Sequence, residues 1–211
     1  MIVCALALVN FLSTISAQDR LAISEFSDCV KSGLPCGWER FKSASGVRLQ
    51  RDSLGIFVAI QSVRDVQAID RRIHFESSDF PILCWRWRVH TLPEAGKEDV
   101  RKRNDCAAAV YIAFKGMYPF NHVIKYAWST TMPVGSIVPS PFGKNVRIFV
   151  IRSGSERRNE WISEKRNFKE DYRKVFGDSA PPVEAVALQT DSDNTETSAS
   201  ADYADVFASK H

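Results

Sequence analysis

Short runs of strand-forming residues follow one another along almost the whole sequence, and each run ends in turn residues such as Gly, Pro, Asn or Asp. Aromatic and β-branched residues dominate these runs, and bulky and polar side chains often alternate within them. The runs cover residues 37–41, 46–50, 55–63, 71–75, 81–89, 106–115, 122–130, 145–154, 160–166, 182–190 and 200–208. Repeated strands without intervening helices predict an all-β fold, a jelly-roll-like antiparallel β-sandwich.

One segment, "NFKEDYRKVFG", has a helical pattern and predicts a short helix over about residues 167–176. Asn167 is a favourable N-cap, and Glu170 three residues later completes a capping box. Gly177 suits the C-terminal cap. We expect this helix to cover an open end or edge of the sandwich.

The N-terminus "MIVCALALVNFLSTISA" carries no charge and ends in small residues. It predicts a signal peptide over residues 1–17, because the run is shorter than the ~20 apolar residues that span a bilayer. Residues 18–211 are then a single β-sandwich domain, periplasmic or secreted, with no stable membrane span after signal removal. No basic residue precedes the apolar run, so an uncleaved anchor or a buried strand remains the alternative.

The predicted mature chain contains four cysteines, Cys29, Cys36, Cys84 and Cys106, which can pair in three ways. Cys29 and Cys36 flank the turn-rich stretch "VKSGLP", whereas Cys84 and Cys106 lie in two strand-like runs. The pattern favours at least one disulfide. The alternative is buried free thiols, which behave as small apolar side chains.

Charge and motifs exclude several functional classes. The net charge of +3 is small and the basic residues are scattered, so no nucleic-acid partner is expected. The sequence has no nucleophile elbow, no phosphate-binding glycine loop and no zinc-ligand spacing.

In "LCWRWRV" the two-residue period of a strand places Trp85 and Trp87 on one face and Arg86 and Arg88 on the other. The tryptophans suit the core between the sheets. The arginines are either solvated side chains that cover the sheet or a pair of guanidinium groups that binds carboxylates, phosphates or sugar hydroxyls.

The run "NHVIKYAWS" places His122, Tyr126 and Trp128 on one face of a second strand. Tyr126 and Trp128 either pack in the core or stack on the apolar face of a sugar ring. His122 is either structural or a general base.

The polar stretch "TDSDNTET" offers oxygen atoms from Asp191, Asp193 and Asn194 near the C-terminus. Three interpretations stay open: a polar loop whose side chains cap backbone amides, a ligand-binding rim, or a calcium site that uses Asp191 and Asp193. The stretch lacks the glycine and the later glutamate of an EF-hand.

The chain resembles an exported bacterial family of unassigned function. The resemblance rests on segments that appear in the family's order: "GWERF" (37–41), "LCWRWRV" (83–89), "YAWST" with "PVGSIVPSPF" (126–142), "VIRSG" (150–154), "W-x-x-E-x-RN" (161–167), "EDYRKVFG" (170–177) and "TDSDNTxxSAxAxYxDV" (190–206). It implies a single periplasmic or extracellular β-sandwich and no particular activity. The last segment also resembles the closing strand of jelly-roll carbohydrate-binding modules. Where the family has two acids and an Arg before "VYI", this chain keeps only Asp105.

These patterns predict a non-catalytic ligand-binding protein whose partner is a glycan. The predicted ligand-binding residues are Arg86, Arg88, Asp105, Tyr126, Asp191, Asp193 and Asn194. No cofactor is expected, with calcium as the alternative. A polysaccharide lyase or glycoside hydrolase that uses His122 and Tyr126 is a second hypothesis. A structural or assembly protein of the cell envelope, with a protein partner, is a third.

Overall fold

The structure is a computed structural model that describes residues 17–24, 26, 30–31, 33–41, 45–116 and 121–211. Its strands are β1 (Arg20–Ala22), β2 (Val30–Lys31), β3 (Leu34–Pro35), β4 (Glu39–Phe41), β5 (Val47–Asp52), β6 (Gly55–Val63), β7 (Val66–Phe75), β8 (Ile82–Thr91), β9 (Ala108–Phe114), β10 (Val123–Ser129), β11 (Ile137–Ser140), β12 (Gly143–Ser153), β13 (Ile162–Asn167), β14 (Val183–Asp191) and β15 (Ser198–Ser209). The α-helix α1 (Phe168–Phe176) and two short 3₁₀ turns complete the elements of the described chain.

All but two of the described strands form two packed sheets, which confirms the predicted all-β, jelly-roll-like sandwich; β2 and β3 pair separately as a two-stranded sheet. One sheet has the order β13-β8-β15-β6-β5, with β1 also paired to β15, and the other has the order β11-β12-β10-β9-β14-β7-β4. Every predicted run contains a strand, whereas the short strands β1, β2, β3 and β11 were not predicted. The antiparallel prediction needs one correction, because β10 and β12 pair in parallel.

The core lies between the sheets and is dominated by aromatic rings from β8 and β10. Trp85 stacks on Tyr126 with the ring centroids 5.4 Å apart, and Trp87 contacts both Trp85 at 5.5 Å and Trp128 at 5.8 Å. These four side chains are fully or almost fully buried. The predicted inward faces of both strands are therefore confirmed.

The predicted helix is also confirmed, with the expected caps. The Asn167 side chain accepts a hydrogen bond from the backbone N–H of Glu170, and Gly177 adopts the left-handed conformation at φ 80°. The helix is tied to the sandwich through the buried carboxylate of Asp171. This carboxylate accepts a hydrogen bond from the Tyr126 hydroxyl at 2.8 Å and another from Arg166 at 2.6 Å.

The prediction that Cys84 and Cys106 contribute to a disulfide is wrong, because both are buried free thiols. Cys84 lies on β8 of one sheet and Cys106 precedes β9 of the other, with the core between the two sheets. Cys36 is not a free thiol. Cys29 lies outside the described residues, so its pairing with Cys36 stays a prediction.

The predicted signal peptide falls almost entirely on residues 1–16, which lie outside the described residues, so its cleavage and the export of the chain stay predictions. Residues 20–22 take part in the fold, since β1 pairs with β15 from Arg20↔Ser209 to Ala22↔Phe207. Among the described residues, no helix has the length and apolar character that a membrane crossing requires.

Replacing Tyr126 with Phe tests its structural role. The change removes a buried hydrogen bond to a carboxylate, and we expect the free energy of unfolding to fall by about 2 kcal/mol, measured by urea denaturation. Tyr172→Phe is the matched control. Its hydroxyl bonds to the His122 ring at 2.7 Å, a neutral partner, so a smaller loss of about 1 kcal/mol is expected. Equal losses in the two variants would contradict this ranking.

Candidate functional site

The structure places the predicted ligand-binding residues in three separate regions. Arg86 and Arg88 lie on the outer face of the six-stranded sheet, and Tyr126 lies between the sheets. Asp105, Asp191, Asp193 and Asn194 lie together at one end of the seven-stranded sheet. The sandwich core separates the arginines from the acids, so the residues predicted as one site do not form one.

The two arginines are already paired within the fold. Arg88 donates to the buried carboxylate of Asp202 at 2.9 and 2.7 Å, and Arg86 donates to Asp205 at 2.5 Å. The His90 ring also bonds to Asp202, at 2.7 Å, and this bond raises the pKa of His90. Because these contacts connect β8 to β15, the two guanidinium groups act as links within the six-stranded sheet.

Tyr126 does not reach a ligand, since its side chain has 0% exposure beneath the stacked tryptophans. This corrects its assignment both to the binding site and to the alternative catalytic pair. His122, the other member of that pair, stacks on Phe176 with ring centroids 3.9 Å apart and bonds to Tyr172. Burial, together with the nearby Arg147, lowers the pKa of His122. These contacts join the start of β10 to α1.

The acidic stretch forms a loop that is held by hydrogen bonds from side-chain carboxylates to backbone amides. The buried carboxylate of Asp105 accepts backbone hydrogen bonds from Asn194 at 3.1 Å and Thr195 at 2.7 Å, and Asp191 accepts one from Asp193 at 3.3 Å. These contacts agree with the interpretation of "TDSDNTET" as a polar loop whose backbone amides are capped by side chains. One of the capping side chains, Asp105, comes from a different segment of the chain. Carboxylate oxygens of Asp105, Asp191 and Asp193 also lie within 4.8 Å of one another. Calcium binding there stays a prediction.

Bringing these acids together changes their proton affinity. Burial, with added repulsion from Asp193 and Asp105, raises the pKa of Asp191 to about 7, although Lys125 opposes this shift. Burial and the proximity of Asp105 also raise the pKa of Asp193. The cluster therefore holds protons at a pH where isolated aspartates would be fully ionised.

Asp191 and Asp193 form one wall of a cleft of about 470 Å³ on the outer face of the seven-stranded sheet. Two aromatic side chains in this cleft are strongly exposed, Phe41 at 50% and Phe142 at 56%. The other lining residues are Val66, Asn104, Tyr111, Lys125, Ser140, Val146, Ile148, Gln189 and Asn194. We call this feature the outer cleft.

Lys125 lines the outer cleft although only 2% of its surface is exposed. It lies on β10 directly opposite Tyr111 of β9, and its Nζ is 5.5 Å from the centroid of the Tyr111 ring. Burial alone would lower the pKa of Lys125. The nearby carboxyl groups of Asp191 and Glu98 oppose that effect, and the pKa of Lys125 lies above its ordinary value, so the side chain is charged.

A chain of hydrogen bonds connects the middle of the outer cleft to its acidic wall. The Tyr111 hydroxyl donates to Oε1 of Gln189, and Nε2 of Gln189 donates to Asp191 at 3.4 Å. Gln189 and Tyr111 both point outward from their strands, opposite buried Leu188 and Val110. The amide orientation of Gln189 is thereby fixed.

The sequence analysis missed Tyr111, Lys125 and Gln189. Each could have been recognised as a single polar or phenolic residue on the outward face of an otherwise apolar strand. Lys125, for example, lies between Val123 and Ala127 on that face. The same two-residue period that assigned Tyr126 to the core places Lys125 on the opposite face. The surroundings of that outward face include groups from other segments, such as Glu98 and Asp191, which the period of one strand does not reveal.

A comparison with known protein families shows which family the chain belongs to. The family model described as a protein of unknown function, DUF3047, matches residues 37–207. The chain belongs to the DUF3047 family. All the residues of the outer cleft named above fall within the DUF3047 match. No curated protein matches the chain.

Several solved structures resemble this DUF3047 chain at low identity. The family 11 carbohydrate-binding module of the cellulase Lic26A-Cel5E of Clostridium thermocellum has 8% identity and a TM-score of 0.48, covering 92% of this chain and 95% of the module. The xyloglucanase domain of NopAA from Sinorhizobium fredii has 13% identity and a TM-score of 0.43, covering 85% and 100% of the two chains. TmCBM61, solved with galactotriose, has 8% identity and a TM-score of 0.39, covering 85% and 92%.

The raised pKa of Asp191 predicts that stability falls as pH rises. The folded state binds more protons than the unfolded state between pH ~4 and ~7, so the free energy of unfolding decreases across that window and then levels off. Asp191→Asn should flatten the profile and stabilise the protein at pH 8 by about 1–3 kcal/mol. Since Lys125 loses an anionic neighbour, the gain should be smaller than the whole shift implies.

Urea denaturation at several pH values measures this effect. Asp79→Asn is the control, because Asp79 is exposed and its replacement should leave the profile unchanged. If the free energy of unfolding of Asp191→Asn still falls with pH as steeply as in the wild type, another group causes the pH dependence.

Proposed function

We propose that this DUF3047 protein is an exported, non-catalytic glycan-binding protein whose binding site is the outer cleft. The observation that carries the proposal is the pairing of two exposed phenyl rings with a floor of preordered polar groups. Phe41 and Phe142 supply apolar surfaces on which the faces of sugar rings can stack, and Asp191, Gln189 and Lys125 supply hydrogen-bonding groups for hydroxyls.

The exposure of the two phenyl rings supports a binding role, because a ligand that covers large apolar side chains removes unfavourable contact between their surface and water. They come from distant parts of the chain. Phe41 ends β4 at one edge of the sheet, and Phe142 lies in the turn between β11 and β12 at the other edge. The strands between them are about 4.8 Å apart, so the sheet is wide enough for several consecutive sugar units.

Affinity electrophoresis through gels that contain soluble polysaccharides tests the proposal. We expect a polymer that binds in the outer cleft to retard the wild-type protein. Phe142→Ala and Phe41→Ala should each weaken binding about tenfold, since stacking contacts of this kind contribute roughly 1–2 kcal/mol. Leu54→Ala is the matched control, because Leu54 is 60% exposed but lies between β5 and β6 of the other sheet.

The outcome separates binding from general surface hydrophobicity. Equal loss of retardation in the Leu54 and Phe142 variants would contradict a site in the outer cleft. Retention of wild-type affinity in both phenylalanine variants would also contradict it. Adding calcium or a chelator to the same gels tests whether the acidic loop needs a metal ion.

Export is part of the proposal and has its own test. Expression of the full sequence in a Gram-negative host should give a periplasmic protein whose first residue is Gln18, as determined by N-terminal sequencing. An intact N-terminus in the cytoplasmic fraction would contradict export.

A further inference from the structure

The buried ammonium group of Lys125 is charged, but no described carboxylate contacts it directly. Within the described part of the chain, no carboxylate oxygen lies within 4.0 Å of its Nζ, although Asp191 and Glu98 act on its charge. Its hydrogen-bonding neighbours, Cys106 and Tyr111, are neutral, since burial raises the pKa of both groups. Buried charges are normally paired directly. A strong donor and a strong acceptor thus line one cleft without direct contact.

We propose that hydroxyl groups of an uncharged sugar ring bind in the outer cleft against both Lys125 and Asp191, so that the cleft selects neutral glycans. The inference rests on the proposed glycan binding and adds its substrate class. A hydroxyl both donates and accepts, and so it can accept from the ammonium and donate to the carboxylate at once. Two such bonds of about 2.8 Å each let one hydroxyl connect groups up to ~5.6 Å apart, and a vicinal diol spans a longer gap.

The acidic wall disfavours anionic glycans. A uronate or sulfate near Lys125 would also lie close to Asp191 and Asp193, with Asp105 directly behind them. The positive charge of Lys125 is already opposed by Asp191 and Glu98. Arg101 is near the cleft, where its guanidinium lies 4.8 Å from the centroid of the Phe142 ring. This cation–π contact leaves its charge intact, so the repulsion of anions applies at the acidic wall. Like charges in a partly desolvated site repel strongly. Because the pKa of Asp191 is about 7, its carboxylate is ionised and repels an anion at pH 8, where the binding assays are run.

The acceptor is held in place before a ligand arrives. Gln189 donates to Asp191 from one side, and the backbone N–H of Asp193 donates from the other. Tyr111 holds the Gln189 amide in turn. A carboxylate fixed in this way binds a hydroxyl without a further loss of side-chain freedom, which favours affinity.

A panel of named polymers tests the charge preference on the purified protein. Hydroxyethyl cellulose, xyloglucan and galactan are the neutral probes, polygalacturonate and alginate are the anionic ones, and chitosan is the cationic one. We expect at least one neutral polymer to retard the protein and no anionic polymer to do so at equal concentration. Retardation by the anionic polymers, or by chitosan alone, would overturn the inference while leaving glycan binding in place. Retardation by none would overturn both.

Variants at the two proposed contacts test the mechanism. Lys125→Met keeps the length of the side chain but removes its donors, and Asp191→Asn weakens the acceptor. Each should reduce affinity for the retarding neutral polymer about tenfold. Lys115→Met is the matched control, because Lys115 follows β9 and is exposed outside the outer cleft. Its affinity should equal that of the wild type.

Thermal unfolding monitored by circular dichroism shows which variants are folded. If Lys125→Met fails to fold, Asp191→Asn still decides the question, because it is expected to be stabilised at pH 8. Wild-type affinity in a folded variant at either position would overturn the hydroxyl bridge. The Phe142→Ala result then shows independently whether the outer cleft binds the polymer.

Discussion

The packing of tryptophan and tyrosine rings between the two sheets determines which side of each strand faces outward. Trp85 and Trp87 from β8 meet Tyr126 and Trp128 from β10 within about 6 Å of one another. Shifting either strand by one residue would expose these rings and bury Lys125 or the arginines in the core. The outer cleft therefore exists because the opposite faces of the same strands are filled with aromatic side chains.

The outer surfaces of the two sheets differ in whether oppositely charged side chains contact each other directly. On the six-stranded sheet, Arg88 and Asp202 meet directly through two hydrogen bonds. On the seven-stranded sheet, Lys125 and Asp191 are separated, and a tyrosine, a thiol and an amide lie around them. Direct pairing stabilises a surface, whereas separation preserves hydrogen-bonding capacity for a ligand.

Strand periodicity and turn residues were sufficient to predict the fold class, the longer strands, the inward faces and the capped helix. They were insufficient for the site, because Lys125 lies among groups from other segments of the chain and Tyr126 is covered by Trp85 of the other sheet. Asp105, Asp191 and Asp193 were grouped with the two arginines in one predicted site. The structure brings the three acids together and places the arginines on the other sheet. The sequence pattern gives the face of a strand but not the sheet to which the strand belongs. The parallel pairing of β10 with β12 was unpredicted for the same reason.

Asp105 connects two loops that are far apart in the sequence, since its carboxylate holds the backbone of Asn194 and Thr195. The first of these loops is itself fixed to β10, where the Ser129 hydroxyl donates to Glu98 at 2.6 Å. The acidic wall of the outer cleft is consequently part of the rigid framework and does not close over a ligand as a mobile lid would. For the proposed glycan binding, association should then be limited by diffusion and desolvation rather than by loop ordering, which suits rapid and reversible attachment along a polymer.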